Sequence, residues 1–203
     1  MLKKEDNNLW LTGKVVFFAT GNINKFKEAR SILSSYGIAL GMIKLKGDEI
    51  QSESIQKIAE KSVINAYKCC YTPIFVEDAG LFIDALKGFP GPYAAYVYKT
   101  ISNEGILKLM ENENCRKAKF ESIISFCDRR TQGKPQSFSG EIQGEITVSE
   151  RTEPDKSGFG FDPIFQPEGS PKTFAEMTID EKNCYSHRSR AIRKFAEWYK
   201  NRS

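Results

Sequence analysis

Residues 14–37 read KVVFFATGNINKFKEARSILSSYG, and the two halves of the segment follow different periods. KVVFFA (14–19) is a continuous apolar run rich in β-branched and aromatic residues, which predicts a buried strand. Thr20-Gly21-Asn22 turns the chain. Beyond it Phe26, Ala29, Leu33 and Tyr36 recur at helical spacing, and Gly37 stands where a helix stops. A buried strand feeding straight into an amphipathic helix opens an α/β fold.

The same periods carry the reading along the chain. A second strand is expected near 39–45, then a helix from about 54 to 70 with Ile58, Val63, Ala66 and Tyr67 on its apolar side. Pro73 starts a third strand, PIFVEDAGLFI (73–83), apolar before and after its acids. In the middle the pattern changes. Ala118, Phe120, Ser122, Ile124 and Phe126 alternate with Lys119, Glu121 and Ser125, the period of a one-sided antiparallel strand. Two shorter strands are expected near 137–143 and 145–148. Thr178 and Glu181 have capping-box spacing for a short helix. A final helix over 189–201 buries Ala191, Ile192, Phe195, Trp198 and Tyr199 and turns basic residues outward. These elements predict one mixed α/β domain over 14–203, with a long central sheet, flanking helices and two lobes around a cleft. Residues 1–13 read as a short N-terminal extension without the apolar core of a signal peptide.

Of the 203 residues, 40% are hydrophobic and 12% aromatic, which supports a real core and argues against disorder. A net charge of +4 suits an anionic small ligand and falls short of the bias of a dedicated nucleic-acid binder. The five cysteines (Cys69, Cys70, Cys115, Cys127, Cys184) are odd in number and show no C-x-x-C spacing. That argues against a disulfide framework or a zinc site and for a reducing cytoplasm. No run approaches the roughly 18 apolar residues of a membrane span.

Three places can carry chemistry. At Thr20, Gly21, Asn22, Ile23, Asn24 and Lys25 a strand delivers a tight turn to a helix start, whose N–H groups and dipole suit a phosphate. The G-x-x-x-x-G-K-[ST] pattern is absent, so the turn is not a P-loop, and taken alone it reads more readily as an ordinary strand–helix turn with a Thr/Asn cap. Glu49, Glu77 and Asp78 are the second place. Glu77 and Asp78 interrupt an apolar strand, where acids are costly unless paired, hydrogen-bonded or bound to metal. Glu49 with Asp78 is a donor set suited to Mg²⁺, and Asp78 can also accept a proton from an attacking water. The alternative is a solvated acid pair in a turn. The third place runs from Gly158 to Arg188. Phe159 and Phe161 alternate with Gly158 and Gly160 ahead of Asp162; Lys182 and the sole histidine, His187, beside Arg188, follow. Flat rings stack on nucleobases and positioned donors read their edges.

Together these residues resemble the inosine triphosphate pyrophosphatase family, the XTP/dITP diphosphatases. The match is in register from about 14 to 200, through TGNINK (20–25), DEIQ (48–51), EDAGL (77–81), LKGFPGPY (86–93), GFGFDPIF (158–165), TFAEM (173–177) and EKNCYSHR (181–188). The resemblance implies an elongated mixed α/β fold with a nucleotide cleft, assembled as a homodimer. It also implies Mg²⁺-dependent hydrolysis of ITP, dITP and XTP to the monophosphate and pyrophosphate. By it, the turn from Thr20 to Lys25, together with Lys61, holds the triphosphate. Glu49 and Asp78, with Glu77 less firmly, hold the metal. Phe159, Gly160, Phe161, Asp162, Lys182, His187 and Arg188 enclose and read the base. The chain departs from the family pattern twice: Ala79 follows the acid pair in place of Thr or Ser, and Ala94-Ala95-Tyr96 replaces Ser-Ala-Arg. The first leaves only a backbone N–H for a phosphate at that position. Two rival readings are a pyrophosphatase for modified pyrimidine triphosphates and a non-catalytic nucleotide- or RNA-binding module. The acids argue against the second.

Overall fold

The computed structural model describes residues 14–45, 50–131, 133–153 and 158–202. β1 (Lys14–Ala19) and α1 (Ile23–Ser35) fall where the opening segment predicts them. Asn22 caps α1, and Gly37 takes φ +71° just beyond its end. β2 (Ile38–Ile43) lies parallel to β1, and α2 (Ile55–Cys70) buries Ile55, Ala59, Val63 and Ala66. β3 (Ile74–Ile83) leads to a packed corner at 86–93 that contains the two-residue strand β4 (Pro90–Gly91). α3 (Ala94–Leu109), β5 (Lys117–Cys127), β6 (Gln136–Ile146), β7 (Phe165–Pro167), α4 (Ile179–Tyr185) and α5 (His187–Asn201) complete the order.

Three features differ from the sequence reading. No helix is expected over 94–109, yet α3 forms there, broken at Ser102 (φ 55°, ψ −164°). β6 is one strand instead of two, because Gly144 stays in the ladder opposite Pro167. A Cβ at Gly144 would stand 2.3 Å from the Gln166 carbonyl oxygen, so glycine there lets β7 close on β6. α5 starts at His187, with Ser186 accepting the Ser189 N–H at 3.1 Å as its cap.

Among the described residues seven strands form one sheet in the order β2-β1-β3-β5-β6-β7, with β4 paired to β3 off that path. β2, β1 and β3 are parallel; β3, β5, β6 and β7 are antiparallel. β3 and β5 pair residue for residue from Ile74↔Cys127 to Ile83↔Ala118, so side chains alternate between faces without interruption. On one face Phe75 and Phe126 join α1 and α5 in one core. Further along that face Leu81 and Phe120 join Val97, Phe161 and Phe174 in another. On the opposite face Ile74 and Val76 pack against α2. The long strands therefore run through two lobes. Among the described residues no helix is long and apolar enough to cross a membrane.

Candidate active site

Between the two cores on the α5 face, the strands carry small or polar residues. Ala79 of β3 lies opposite Ser122 of β5, which lies opposite Gly140 of β6, and Glu77 adjoins them. This row of short side chains makes a trough, and the N-terminus of α5 settles into it. A Cβ on Gly140 would stand 2.2 Å from the His187 carbonyl oxygen and 2.5 Å from the Ala191 nitrogen. Close backbone approach thus fixes where His187 and Arg188 sit.

The trough holds a buried chain of ion pairs. Lys25 of α1 meets Glu77 Oε2 at 2.8 Å, and Glu77 Oε1 accepts from Arg188 Nε at 3.0 Å and from Ser122 Oγ at 2.6 Å. Arg188 Nη1 donates to Glu28 Oε2 at 2.6 Å. Glu28 Oε1 pairs with Lys182 Nζ at 2.8 Å, and Lys182 continues to Asp162 Oδ2 at 2.6 Å. Asp162 Oδ2 also accepts the Phe159 N–H at 2.9 Å. Three carboxylates alternate with three cations, which is how buried charge is tolerated. Burial raises the Glu77 carboxyl, but the Arg188 and Lys25 charges outweigh it and hold the group well below the usual carboxylate range. Glu28 is lowered in the same way, burial being overcome by Arg188 and Lys182. For Asp162 burial prevails over Lys182 and the carboxyl is raised.

His187 is different. It is buried and stacks on Phe120 with ring centroids 4.6 Å apart and 10° between planes. Neither ring nitrogen meets a protein partner among the described residues. Burial first, then the Arg188 charge, hold its pKa well below 6.5, so the ring is neutral at pH 7. The sign of the pH dependence follows. As pH falls through about 6.5, the unfolded chain takes up a proton at residue 187 that the folded chain refuses, so stability drops. Near pH 4.5 Glu28 and Glu77 add to the loss, while Asp162, shifted the opposite way, offsets part of it. Urea melts are expected to give nearly constant stability between about pH 7 and 8 and a decline from about pH 6.5 to 5, of at most about 1.4 kcal/mol per pH unit. In His187→Phe the decline above pH 5 should vanish; its persistence would show that another group titrates.

The open edge of β3 defines the other half of the site. β1 pairs with β3 only at Phe17↔Ile74 and Phe18↔Phe75, and β4 pairs only at Leu81 and Phe82. Between them the β3 edge from Val76 to Gly80 has no strand partner on that side among the described residues. The Thr20–Lys25 turn flanks this notch at one end, since it follows β1 directly. Gly80 at the other end lies so close to β4 that a Cβ would stand 2.7 Å from the Gly91 carbonyl oxygen. Lys25 Nζ reaches into the notch and donates to the Glu77 carbonyl at 3.3 Å. Strand alternation puts Asp78, half-buried, on the α2 face and Glu77 on the α5 face.

Several expectations change accordingly. The Glu77 carboxylate is taken up by Lys25, Arg188 and Ser122 and faces away from Asp78, which leaves it badly placed as a metal ligand. Phe161 offers no open ring face, because it is buried and lies edge-on to Tyr98 at 5.5 Å. Phe159 remains half-buried, with Lys182 4.6 Å and Arg188 5.3 Å from its ring centre. Gly160 (φ +62°) supplies the turn between the two rings. In the Thr20–Lys25 turn, Thr20 Oγ1 accepts the Asn22 N–H, and Asn22 Oδ1 accepts those of Asn24 and Lys25. Among the described residues, only the Gly21 and Ile23 N–H groups there are left for an outside acceptor. Lys61 is exposed, on the side of α2 turned away from the buried Ala59 and Val63. No hydrogen bond or ion pair joins it to the cluster among the described residues. Ala79 lies in the trough, and Glu49 is outside the described residues. The sequence reading assigns no site role to Glu28, nor to Ser122, which it reads only as a strand position. An acid one turn before Ile32, on the buried stripe of α1, was the available signal for Glu28.

The sequence profile of the Ham1 family matches residues 16–198. The chain belongs to the Ham1 family. The dITP/XTP pyrophosphatase of Methanopyrus kandleri is 51% identical over 92% of this chain and 96% of its own length. The dITP/XTP pyrophosphatase of Thermococcus kodakarensis is 47% identical over 90% and 96%. Among solved structures, the Ham1 protein of Staphylococcus aureus superposes with TM-score 0.75 at 27% identity, over 91% of this chain and 97% of that one. The Coxiella burnetii HAM1 protein gives TM-score 0.77 at 25% identity, over 91% and 98%. The expected fold and family are both borne out.

Proposed function

We propose that this Ham1 protein hydrolyses the non-standard purine nucleoside triphosphates dITP, ITP and XTP to the monophosphate and pyrophosphate. The observation that carries the reading is the near-full-length identity to relatives named for that activity on dITP and XTP. The trough and notch support it by offering a base end beside a phosphate end.

At the base end, Phe159 presents a half-buried ring for stacking. His187 holds an unpaired N–H and an unpaired acceptor in a dry setting. A neutral imidazole can do either job, but a guanidinium can only donate. With Nε and Nη1 of Arg188 engaged by Glu77 and Glu28, Nη2 is left for the ligand. Hypoxanthine and xanthine offer a 6-oxo acceptor to that donor, whereas adenine offers an amino group. A buried site built for one hydrogen-bonding pattern rejects the other strongly.

At the phosphate end, Lys25 reaches into the notch, the turn carrying the Gly21 and Ile23 N–H groups flanks it, and Asp78 lies along it. Among the described residues no cluster of three or more His, Cys, Asp or Glu could hold a metal unaided. A single carboxylate fits Mg²⁺, which keeps waters and shares phosphate oxygens. Asp78, with Glu49, would hold the ion, and bound Mg²⁺ would supply neutralisation of phosphate charge. Asp78 accepts a proton from the attacking water, and Lys25 offsets charge on the leaving pyrophosphate. A cytoplasmic setting suits the five free cysteines. A homodimer suits the exposed Phe89, Tyr93 and Tyr96 at the start of α3.

Pyrophosphate release from ITP, XTP, dITP, GTP and ATP, with Mg²⁺ and with EDTA, tests the reading. Rapid metal-dependent release from the first three is expected, with ATP slower by about 10² or more. Equal rates on ATP and ITP would refute it.

A further inference from the structure

We infer that Glu77 is a positioning residue that couples the two ends of the site, so that Lys25, at the phosphate end, influences which base is accepted. The inference rests on the function proposed above and adds to it a route for selectivity.

Glu77 is the one carboxylate in the trough that touches both ends. Its Oε2 meets Lys25 at 2.8 Å and its Oε1 meets Arg188 Nε at 3.0 Å. The Glu77 side chain is 1% exposed and the Lys25 side chain 21%. Lys25 is therefore the most exposed member of the Lys25–Glu77–Arg188 unit, and Glu77 has almost no solvent to compensate for a partner that leaves. In such a place the loss or displacement of one cation is felt by the other. Arg188 passes the change on, since it shares Glu28 with Lys182, and Lys182 shares Asp162 with the Phe159 backbone. When a triphosphate draws the Lys25 ammonium toward itself, Glu77 binds Arg188 more strongly and fixes the guanidinium against the base. A base that cannot accept from it gains nothing from that tightening.

The test is the ratio of kcat/KM for ITP over ATP in Lys25→Met. Lys25 touches no base-reading group directly. A lysine that only neutralised phosphate would lower both values equally and leave the ratio alone. Coupling through Glu77 predicts a ratio lowered about tenfold, within the usual span of coupling between linked sites. Glu77→Gln, close in shape to the native side chain, should lower it similarly, and the double variant should add little to either. If turnover is too slow, the ratio of dissociation constants for ITP and ATP in EDTA, from calorimetry, takes its place. A selective wild type with the ratio within about twofold of its own value in Lys25→Met would overturn the coupling alone. A wild type that hydrolyses neither nucleotide would overturn the proposed function and this inference with it.

Discussion

Replacing Arg188 with methionine is expected to lower folding stability by about 3–5 kcal/mol, because it takes one cation from two buried carboxylates at once. Methionine fills much of the volume of the arginine stem, so the loss does not come from a cavity. Glu77 would keep Lys25 and Ser122, but Glu28 would keep only Lys182, which already serves Asp162. Set against a total stability of about 5–15 kcal/mol, the loss is large enough to reduce soluble yield. The internal control is Lys119, whose ion pair with Glu141 has side chains 34% and 56% exposed. Lys119→Gln should lower the stability read from urea melts by no more than about 1 kcal/mol. Adding Glu28→Gln to Arg188→Met should recover part of the loss, since it removes one of the two charges that lost a cation. A change below about 1 kcal/mol in Arg188→Met would mean that the ion chain is dispensable for folding.

That chain was also the least legible part of the molecule. The strand and helix of 14–37 could be read because each period is local and each cap lies within three residues of what it caps. β5 was legible for the same reason: one face meets core and the other is mostly polar, so the period of two survives in the sequence. α3 was missed because its buried positions, Ala94, Val97, Asn103 and Ile106, include an asparagine and straddle the break at Ser102. The lone His-Arg pair, Lys182 and Asp162 stood out as unusual, and the structure brings them together. What the sequence did not show is that Asp162, Lys182 and Arg188 also engage one another, directly and through Glu28. A sequence shows that Asp162 and Lys182 need partners without showing which. Arg188 and Glu28 are 160 positions apart, and the fold alone pairs them. The different fates of Glu77 and Asp78 were within reach, because adjacent residues of a regular strand point to opposite faces.

That separation yields the second large effect, this time on activity. Asp78→Asn is expected to lower kcat for ITP by about 10²–10⁴, the usual worth of a general base. Asparagine keeps the shape and removes both the proton acceptor and the anionic metal donor. Stability should fall less than in Glu77→Gln, because Asp78 is half-buried at the open edge of β3 whereas Glu77 is buried. Glu77→Gln should behave in the opposite sense. It neutralises a carboxylate held between Lys25 and Arg188, so it should cost stability while leaving proton transfer at Asp78 intact. Measured side by side, the two isosteric substitutions assign the roles without further structure: one enzyme stable and nearly inert, the other less stable and still turning over. Near-normal kcat in the Asp78 variant would refute its role as base. The proton would then have to pass to a group other than Asp78, and Glu49, the other acid expected from the sequence to hold the metal, would be the first to replace.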